Sequence, residues 1–278
     1  MDNLKPTYHI PGSKYAHELD VRWRKRHALA GSALAMAEIA SDYQYWHKLG
    51  ADGAMAFSWY MRAADAGDAE SCRIVSDAFR LGYLELHVLK EVETVERFPI
   101  GKNSEKATLY KQRAKSLAEK NRQPVNRVLF DAGAGWCRFS PDNKTSVHVS
   151  CAFTGDFPVQ VLTAFCDRLK RNTPVTLFMD SEGVYDVFTE GDISSYESFL
   201  IHEDLGKAQG PTVRKVRCDI PALARQIVCD IESDYYGWAT FNYGGGFAKK
   251  EQRLRRLVKS LKEAIADFES AEKGPIHG

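Results

Sequence analysis

The sequence predicts an α+β protein in two domains, an all-α domain over residues 1–122 and a mixed helix-and-strand domain over residues 125–278. Three observations carry this expectation. Helical periodicity, with small residues set between large aromatics, dominates the chain up to about residue 120. The run Asn121-Arg122-Gln123-Pro124 interrupts it. Strand-type alternation follows, with Val147, Val149, Cys151 and Phe153 on one side and His148, Ser150 and Ala152 on the other. A chain of 278 residues is long enough to bury two separate cores.

The N-terminal half is organised around Ala54 to Gly82. Ala56, Trp59, Tyr60, Ala63 and Ala64 keep helical spacing until Ala66-Gly67-Asp68, and a second helix carries Cys72, Val75 and Phe79 up to Gly82. Small residues where helices cross and a glycine at the corner predict two antiparallel helices in close contact. The pattern occurs earlier as well: Trp23, Arg26, Ala28, Ala30 and Gly31 stand 36 residues before Trp59, Arg62, Ala64, Ala66 and Gly67. Ile39 and Tyr43 match Val75 and Phe79 in the same way. A third, weaker copy of the first helix runs from Lys106 to Leu117, with Ala107, Tyr110, Arg113 and Ala114 at the corresponding positions.

The A-x-x-W-Y-x-R-A-A-x-x-G run from Ala56 to Gly67, followed by a helix closing on Phe79-Arg80-Leu81-Gly82, resembles a Sel1-like repeat, a relative of the tetratricopeptide solenoids. The resemblance covers about residues 20–120. It implies Sel1/TPR-like helical repeats that bind proteins and carry no chemistry of their own. His27 stands where the family has Ala, and a long insertion, Tyr83 to Asn103, follows Gly82. Leu86, Leu89, Val92 and Val95 among Glu85, Glu91, Glu93 and Glu96 predict a helix with an acidic rim there, then a loop through Pro99 and Gly101. In the array, Tyr43, Tyr45, Trp46, Trp59, Tyr60 and Phe79 are read mainly as the core between stacked helices rather than as the lining of a groove. Arg22, Arg24, Lys25 and Arg26 are read as a solvated face.

The C-terminal half reads as an α+β sandwich with a C-terminal helix. After Asp156 and Pro158, a helix buries Leu162, Phe165, Cys166 and Leu169. Val175–Met179 and Val184–Phe188 form a hairpin across Asp180-Ser181-Glu182-Gly183. Residues 193–205 are ambiguous between strand and helix. A strand at Val213–Cys218 leads into a second Asp-apolar-Pro helix start, Asp219-Ile220-Pro221, whose helix buries Leu223, Ile227, Ile231 and Tyr235. Gly237–Tyr243 reads as an aromatic strand. The last helix, about Lys249 to Ser270, aligns Leu254, Leu257, Leu261, Ile265 and Phe268 on one stripe.

Composition narrows the function classes. A net charge of +1 gives no bulk attraction to nucleic acid or membrane, so neither is expected as a partner. No stretch has the length and apolarity of a membrane span, and the polar start MDNLKPTYHIPGSKY suggests a cytoplasmic protein. The six cysteines lack metal-site spacing and are read as reduced thiols, with Cys72, Cys166 and Cys229 on apolar helix faces. There is no G-x-S-x-G, H-E-x-x-H or Walker motif. Gly244–Gly246 ahead of Lys249 and Lys250 serves as well for a strand-to-helix connection as for a phosphate cradle. His148 and Cys151 face opposite ways on a strand. Asp180, Glu182 and Asp186 sit at a hairpin tip, and His202-Glu203-Asp204 reads as loop. No catalytic residue, cofactor or metal is expected.

Charge distribution points to binding. Acidic residues outnumber basic ones between Asp180 and Asp234, and Tyr235, Tyr236, Trp238 and Tyr243 are expected to stand exposed beside them. Asp180, Glu182, Tyr185, Tyr235, Tyr236, Trp238 and Tyr243 are the candidate partner-binding residues. Lys249, Lys250, Arg253, Arg255, Arg256, Lys259 and Lys262 on the last helix are expected to neutralise the acidic sheet internally. The expected function is that of an immunity protein, which neutralises a cognate bacterial toxin domain of basic surface by occluding it in the cytoplasm. The alternatives are a Sel1-repeat adaptor that assembles other proteins and, least supported, an enzyme in the C-terminal domain.

Overall fold

A computed structural model describes residues 14–45, 51–89, 93–122, 127–133, 135–142, 144, 146–150, 156–180, 184–191, 197–204, 212–242 and 246–272. Helix and strand are mixed, with a long helix at the C-terminal end, as expected of an α+β protein. The chain separates into two compact units, one spanning Ser13–Pro124 and one containing Val125–Gly278. Among the described residues no helix is long and apolar enough to cross a membrane.

The N-terminal unit contains helices α1 (Lys14–Leu29), α2 (Ala33–Gln44), α3 (Gly53–Asp65) and α4 (Ala69–Leu81), strands β1 (Tyr83–Leu89) and β2 (Glu93–Pro99), and helix α5 (Ser104–Arg122). The α1–α2 and α3–α4 corners are closed by the same bonds. Ala30, Gly31 and Ser32 donate their backbone N–H groups to Arg26, Ala28 and His27, and Ala66, Gly67 and Asp68 donate theirs to Arg62, Ala64 and Ala63. This is the Schellman arrangement, in which a left-handed residue lets the chain satisfy the last helical carbonyls. The next helix is then capped at once: Ser32 Oγ accepts from Ala35 N, and Asp68 Oδ1 from Ser71 N. Trp23, Ala28, Ala35 and Ile39 are buried, as are Trp59, Ala64, Ser71 and Val75. Helix α5 closes on α4: Tyr110 stacks on Phe79, and Ser76 Oγ donates to the Ala107 carbonyl at 2.8 Å.

Two expectations for this unit are corrected. The insertion after Gly82 is an antiparallel hairpin of β1 and β2, with Leu84 opposite Phe98 and Leu86 opposite Glu96, so the unit is not all-α. The period that matters there is two, not three to four: Leu84 and Leu86 bury against Ala56, with Tyr43, Phe57, Ile74, Val88, Phe98 and Ile100 packed around them, while Val95 stands exposed. Tertiary packing onto α2, α3 and α4 decides what the local spacing left ambiguous. Tyr60 OH donates to Gln44 Oε1 at 2.6 Å and Gln44 Nε2 donates to the Glu85 carbonyl at 2.9 Å, tying the hairpin to the helices. Arg24, expected at the solvated face, is buried against Asp42 and Glu38. The groove aromatics divide: Trp59, Tyr60 and Phe79 are core, Tyr45 is exposed and Trp46 lies outside the described residues.

The C-terminal unit holds two antiparallel sheets among its described residues. One has the order β3 (Leu129–Gly133), β4 (Trp136–Phe139), β5 (Val147–Ser150). The other has the order β6 (Thr176–Asp180), β7 (Val184–Glu190), β8 (Glu197–Asp204), β9 (Thr212–Arg217). Helices α6 (Phe157–Arg171), α7 (Ile220–Ser233), α8 (Tyr235–Thr240) and α9 (Phe247–Glu272) complete it. Helix α6 lies on β6, α7 and α8 lie on β3, and α9 crosses all three helices. The core centres on Phe139, whose ring meets Phe157 and Phe188 edge-on. β6 and β7 pair as the expected hairpin, and the ambiguous stretch 193–205 supplies β8.

The aromatic strand expected at Gly237–Tyr243 is instead helix α8. Asp234 Oδ1 accepts from Gly237 N at 2.9 Å and starts it, which strand-type composition alone conceals. Cys229 is exposed on α7 rather than buried, whereas Cys72 is buried as expected. On α9, Leu254, Val258, Leu261 and Ile265 form the buried stripe.

Candidate functional site

The acidic surplus between Asp180 and Asp234 is consumed by the fold. Asp230 Oδ2 accepts from the backbone N–H groups of Val128 (2.7 Å) and Leu129 (2.9 Å), and Oδ1 accepts from Gln226 Nε2 (2.9 Å). Burial pushes its carboxyl above the usual range in spite of those bonds. Glu190 receives Arg168 Nε at 2.7 Å and the Val175 N–H at 3.2 Å. Asp219 and Asp234 cap α7 and α8. Glu232 pairs with Lys262 at 2.7 Å. Acceptors placed at helix starts and inside the core are not a surface for a cationic partner, which corrects the acidic-face expectation.

The candidate residues are scattered accordingly. Asp180, at the end of β6, is only 5% exposed. Tyr185 on β7 stands opposite it in register and is 38% exposed. Tyr235 is half-buried under the Arg255 guanidinium, 3.9 Å from the ring centroid, and burial raises its hydroxyl pKa. Tyr236 and Trp238, expected at the surface, are 2% and 3% exposed in the core beneath α8. Trp238 Nε1 points to the Asp230 carbonyl at 3.4 Å. Glu182 and Tyr243 lie outside the described residues.

The basic residues of α9 serve neighbouring helices and loops rather than an acidic sheet. Arg253 pairs with Asp156 at 3.4 Å, Arg255 with Glu251 at 2.7 Å, and Lys250 donates to the Asn242 carbonyl. Lys250, one of the two lysines beside the glycine run, is therefore already committed, and Gly244 and Gly245 lie outside the described residues. His148 is exposed on β5, and Cys151 lies outside the described residues. Among the described residues no group of three His, Cys, Asp or Glu side chains is placed to hold a metal ion.

What does stand open is one face of the β6–β9 sheet. The ladders align Phe178 with Val187, Val187 with Ile201, and Ile201 with Val213. Phe178 is 65% exposed and Val213 60% exposed, with Val187 and Ile201 half-buried between them. Leu177, Met179 and Phe188 alternate onto the other face and are buried. A single apolar row thus crosses four strands in solvent. Single exposed apolar residues are ordinary, but a contiguous row marks an interaction surface. Sequence reading missed it because the row has no sequence adjacency; only the pairing of four separate strands assembles it.

No protein family, curated protein or solved structure matches this chain.

Proposed function

We propose that this chain is a non-catalytic protein-binding protein whose N-terminal unit is a Sel1-like helical repeat array. The observation that carries the reading is the identity of the two helix corners, the same three backbone bonds followed by the same capping bond 36 residues apart. A local bond pattern that returns with the same register is what duplicated helical pairs produce, and such arrays work by presenting surface to other proteins. Within that class the narrower role is an immunity protein, which covers the active surface of a cognate bacterial toxin in the cytoplasm. The exposed row on the C-terminal sheet gives such a protein a contact surface separate from the array. The partner's charge does not follow from the acid-rich segment, because those carboxylates serve the fold.

The test is capture with the tagged full chain from its host lysate in high salt, followed by native mass spectrometry and co-expression with the captured protein. One stoichiometric partner that is toxic when expressed alone and harmless with this chain is the expected result. Several salt-labile partners, none of them toxic, would instead favour the adaptor reading. That second reading draws on Leu29, Leu81 and Leu109, which stand exposed on α1, α4 and α5.

A further inference from the structure

We propose that the free side of β9 takes up an acidic, extended segment of a partner protein as a fifth strand of the β6–β9 sheet. The inference rests on the protein-binding reading and names where on the C-terminal unit binding occurs. β9 ends the strand order, pairing with β8 on one side and with no strand among the described residues on the other. It is also uncovered: Thr212, Val213, Arg214, Lys215 and Arg217 are exposed, and Val216 alone is buried. An edge strand offers a row of backbone donors and acceptors to any extended chain.

Charge selects the occupant. Arg214, Lys215 and Arg217 give β9 three cations and no carboxylate. On the β8 side the register sets Arg214 against Leu200 and Lys215 against Phe199, with Glu197 against Arg217 alone. The ion pair of Arg214 with Asp142 is long, at 3.7 Å. A second copy of the chain is disfavoured, since β9 against β9 sets cation beside cation, and like charges opposite one another destabilise a ladder. An incoming strand with carboxylates meets the opposite condition. The apolar row from Phe178 ends at Val213, so the added strand extends it by placing an apolar residue beside Val213. The occupant is thus a segment alternating acidic and apolar residues.

The experiment titrates the full chain with a synthetic nonapeptide alternating Glu and Val, and with its Lys-for-Glu counterpart, at low salt. Fluorescence anisotropy reads affinity and amide hydrogen exchange reads protection. The acidic peptide is expected to bind at least tenfold more tightly than the basic one and to slow exchange in β9 selectively. Reversal of Lys215 and Arg217 to Glu is expected to invert the preference, with circular dichroism confirming the fold. Val213→Pro, which removes a backbone donor at the edge, serves as a second variant and is expected to abolish binding. Unchanged β9 exchange, equal affinity for both peptides, or binding of single-stranded nucleic acid in place of the acidic peptide would overturn the proposal. A stoichiometric cellular partner held equally well by the charge-reversed chain would overturn it too, while leaving the protein-binding reading intact.

Discussion

Gly31 and Gly67 adopt the same left-handed backbone, with φ of 103° and 101°, at the same point of two helix corners. An added Cβ would meet nothing within 4 Å at either site, so the requirement for glycine is conformational and not steric. Gly31→Ala and Gly67→Ala should each cost about 1 kcal/mol through backbone strain alone. The double variant should cost the sum, because the two corners share no partner. Urea unfolding of the three variants tests this; an effect at Gly67 but none at Gly31 would mean that the two corners are not equivalent.

The buried Arg24–Asp42 pair links α1 to α2, with Glu38 at 3.2 Å from Arg24 Nε. Asp42→Ala should destabilise by about 3 kcal/mol, since it strands a guanidinium out of water. Arg24→Met combined with Asp42→Leu should recover most of that loss, because well-packed apolar replacements often match a buried ion pair. Denaturation midpoints of the single and double variants decide between this account and a surface pair of negligible worth.

The corners and helix stripes were legible because each is set by contacts within a few residues: Gly67 and Asp68 announce a turn and a cap wherever they fall after a helical period. The α6 and α7 starts at Pro158 and Pro221 were legible for the same reason. The β1–β2 hairpin was not, since Leu86, Leu89, Val92 and Val95 satisfy a helical spacing while Leu84, Leu86 and Val88 satisfy a strand one, and only packing against Ala56 chooses. The aromatic site failed differently. Tyr236 and Trp238 read equally as anchors or as core, and their helix is set by Asp234 capping a segment of strand-like composition. Phe178 drew no attention because nothing near it in sequence is apolar and exposed; its neighbours in the row come from three other strands.

Trp238 and Phe178 therefore exchange the roles that composition suggests. Trp238→Ala should cost about 3–5 kcal/mol as a large buried side chain lost from the core. Phe178→Ala, on a side chain in solvent, should change stability by less than about 0.5 kcal/mol. Partner affinity should show the reverse order once the loss of folded Trp238→Ala protein is corrected for. Thermal melts with parallel binding curves on the captured partner read both quantities.

Asp230 makes the C-terminal unit sensitive to acid in an uncommon direction. Burial raises its folded pKa above the unfolded one, so the folded state binds more protons between the two values. Its contribution should fall as pH rises from about 4 through the raised pKa, then stay constant. Asp230→Asn keeps an acceptor for Val128 and Leu129 without that charge, and should gain on the wild type as pH climbs through the window. Asp230→Ala, leaving two buried N–H groups unsatisfied, should lose about 3 kcal/mol at every pH. Chemical denaturation of all three proteins from pH 4 to 8 tests the sign; parallel wild-type and Asn curves would show that Asp230 titrates normally.

Gly53 tests how closely the hairpin is seated. It is the first residue of α3, and a Cβ there would lie 2.2 Å from Phe98 Cγ and 2.4 Å from Phe98 Cβ. Rotation of the ring cannot relieve a clash with Phe98 Cβ, so the strand itself must move. Overpacking of that kind costs about 1–3 kcal/mol. The strain should concentrate in the hairpin, because Phe98 belongs to the cluster of Leu84, Leu86 and Ala56 that holds β1 and β2 to the helices. In Gly53→Ala, amides of β1 and β2 should exchange faster while those of α1 and α2, away from the contact, keep their protection. Gly53→Ala with Phe98→Gly removes the clash and should restore α3 while leaving the hairpin loosened by the lost ring. Wild-type exchange throughout the single variant would mean that the hairpin stands clear of α3, and the bonds from Tyr60 through Gln44 to Glu85 would then be left as its main attachment.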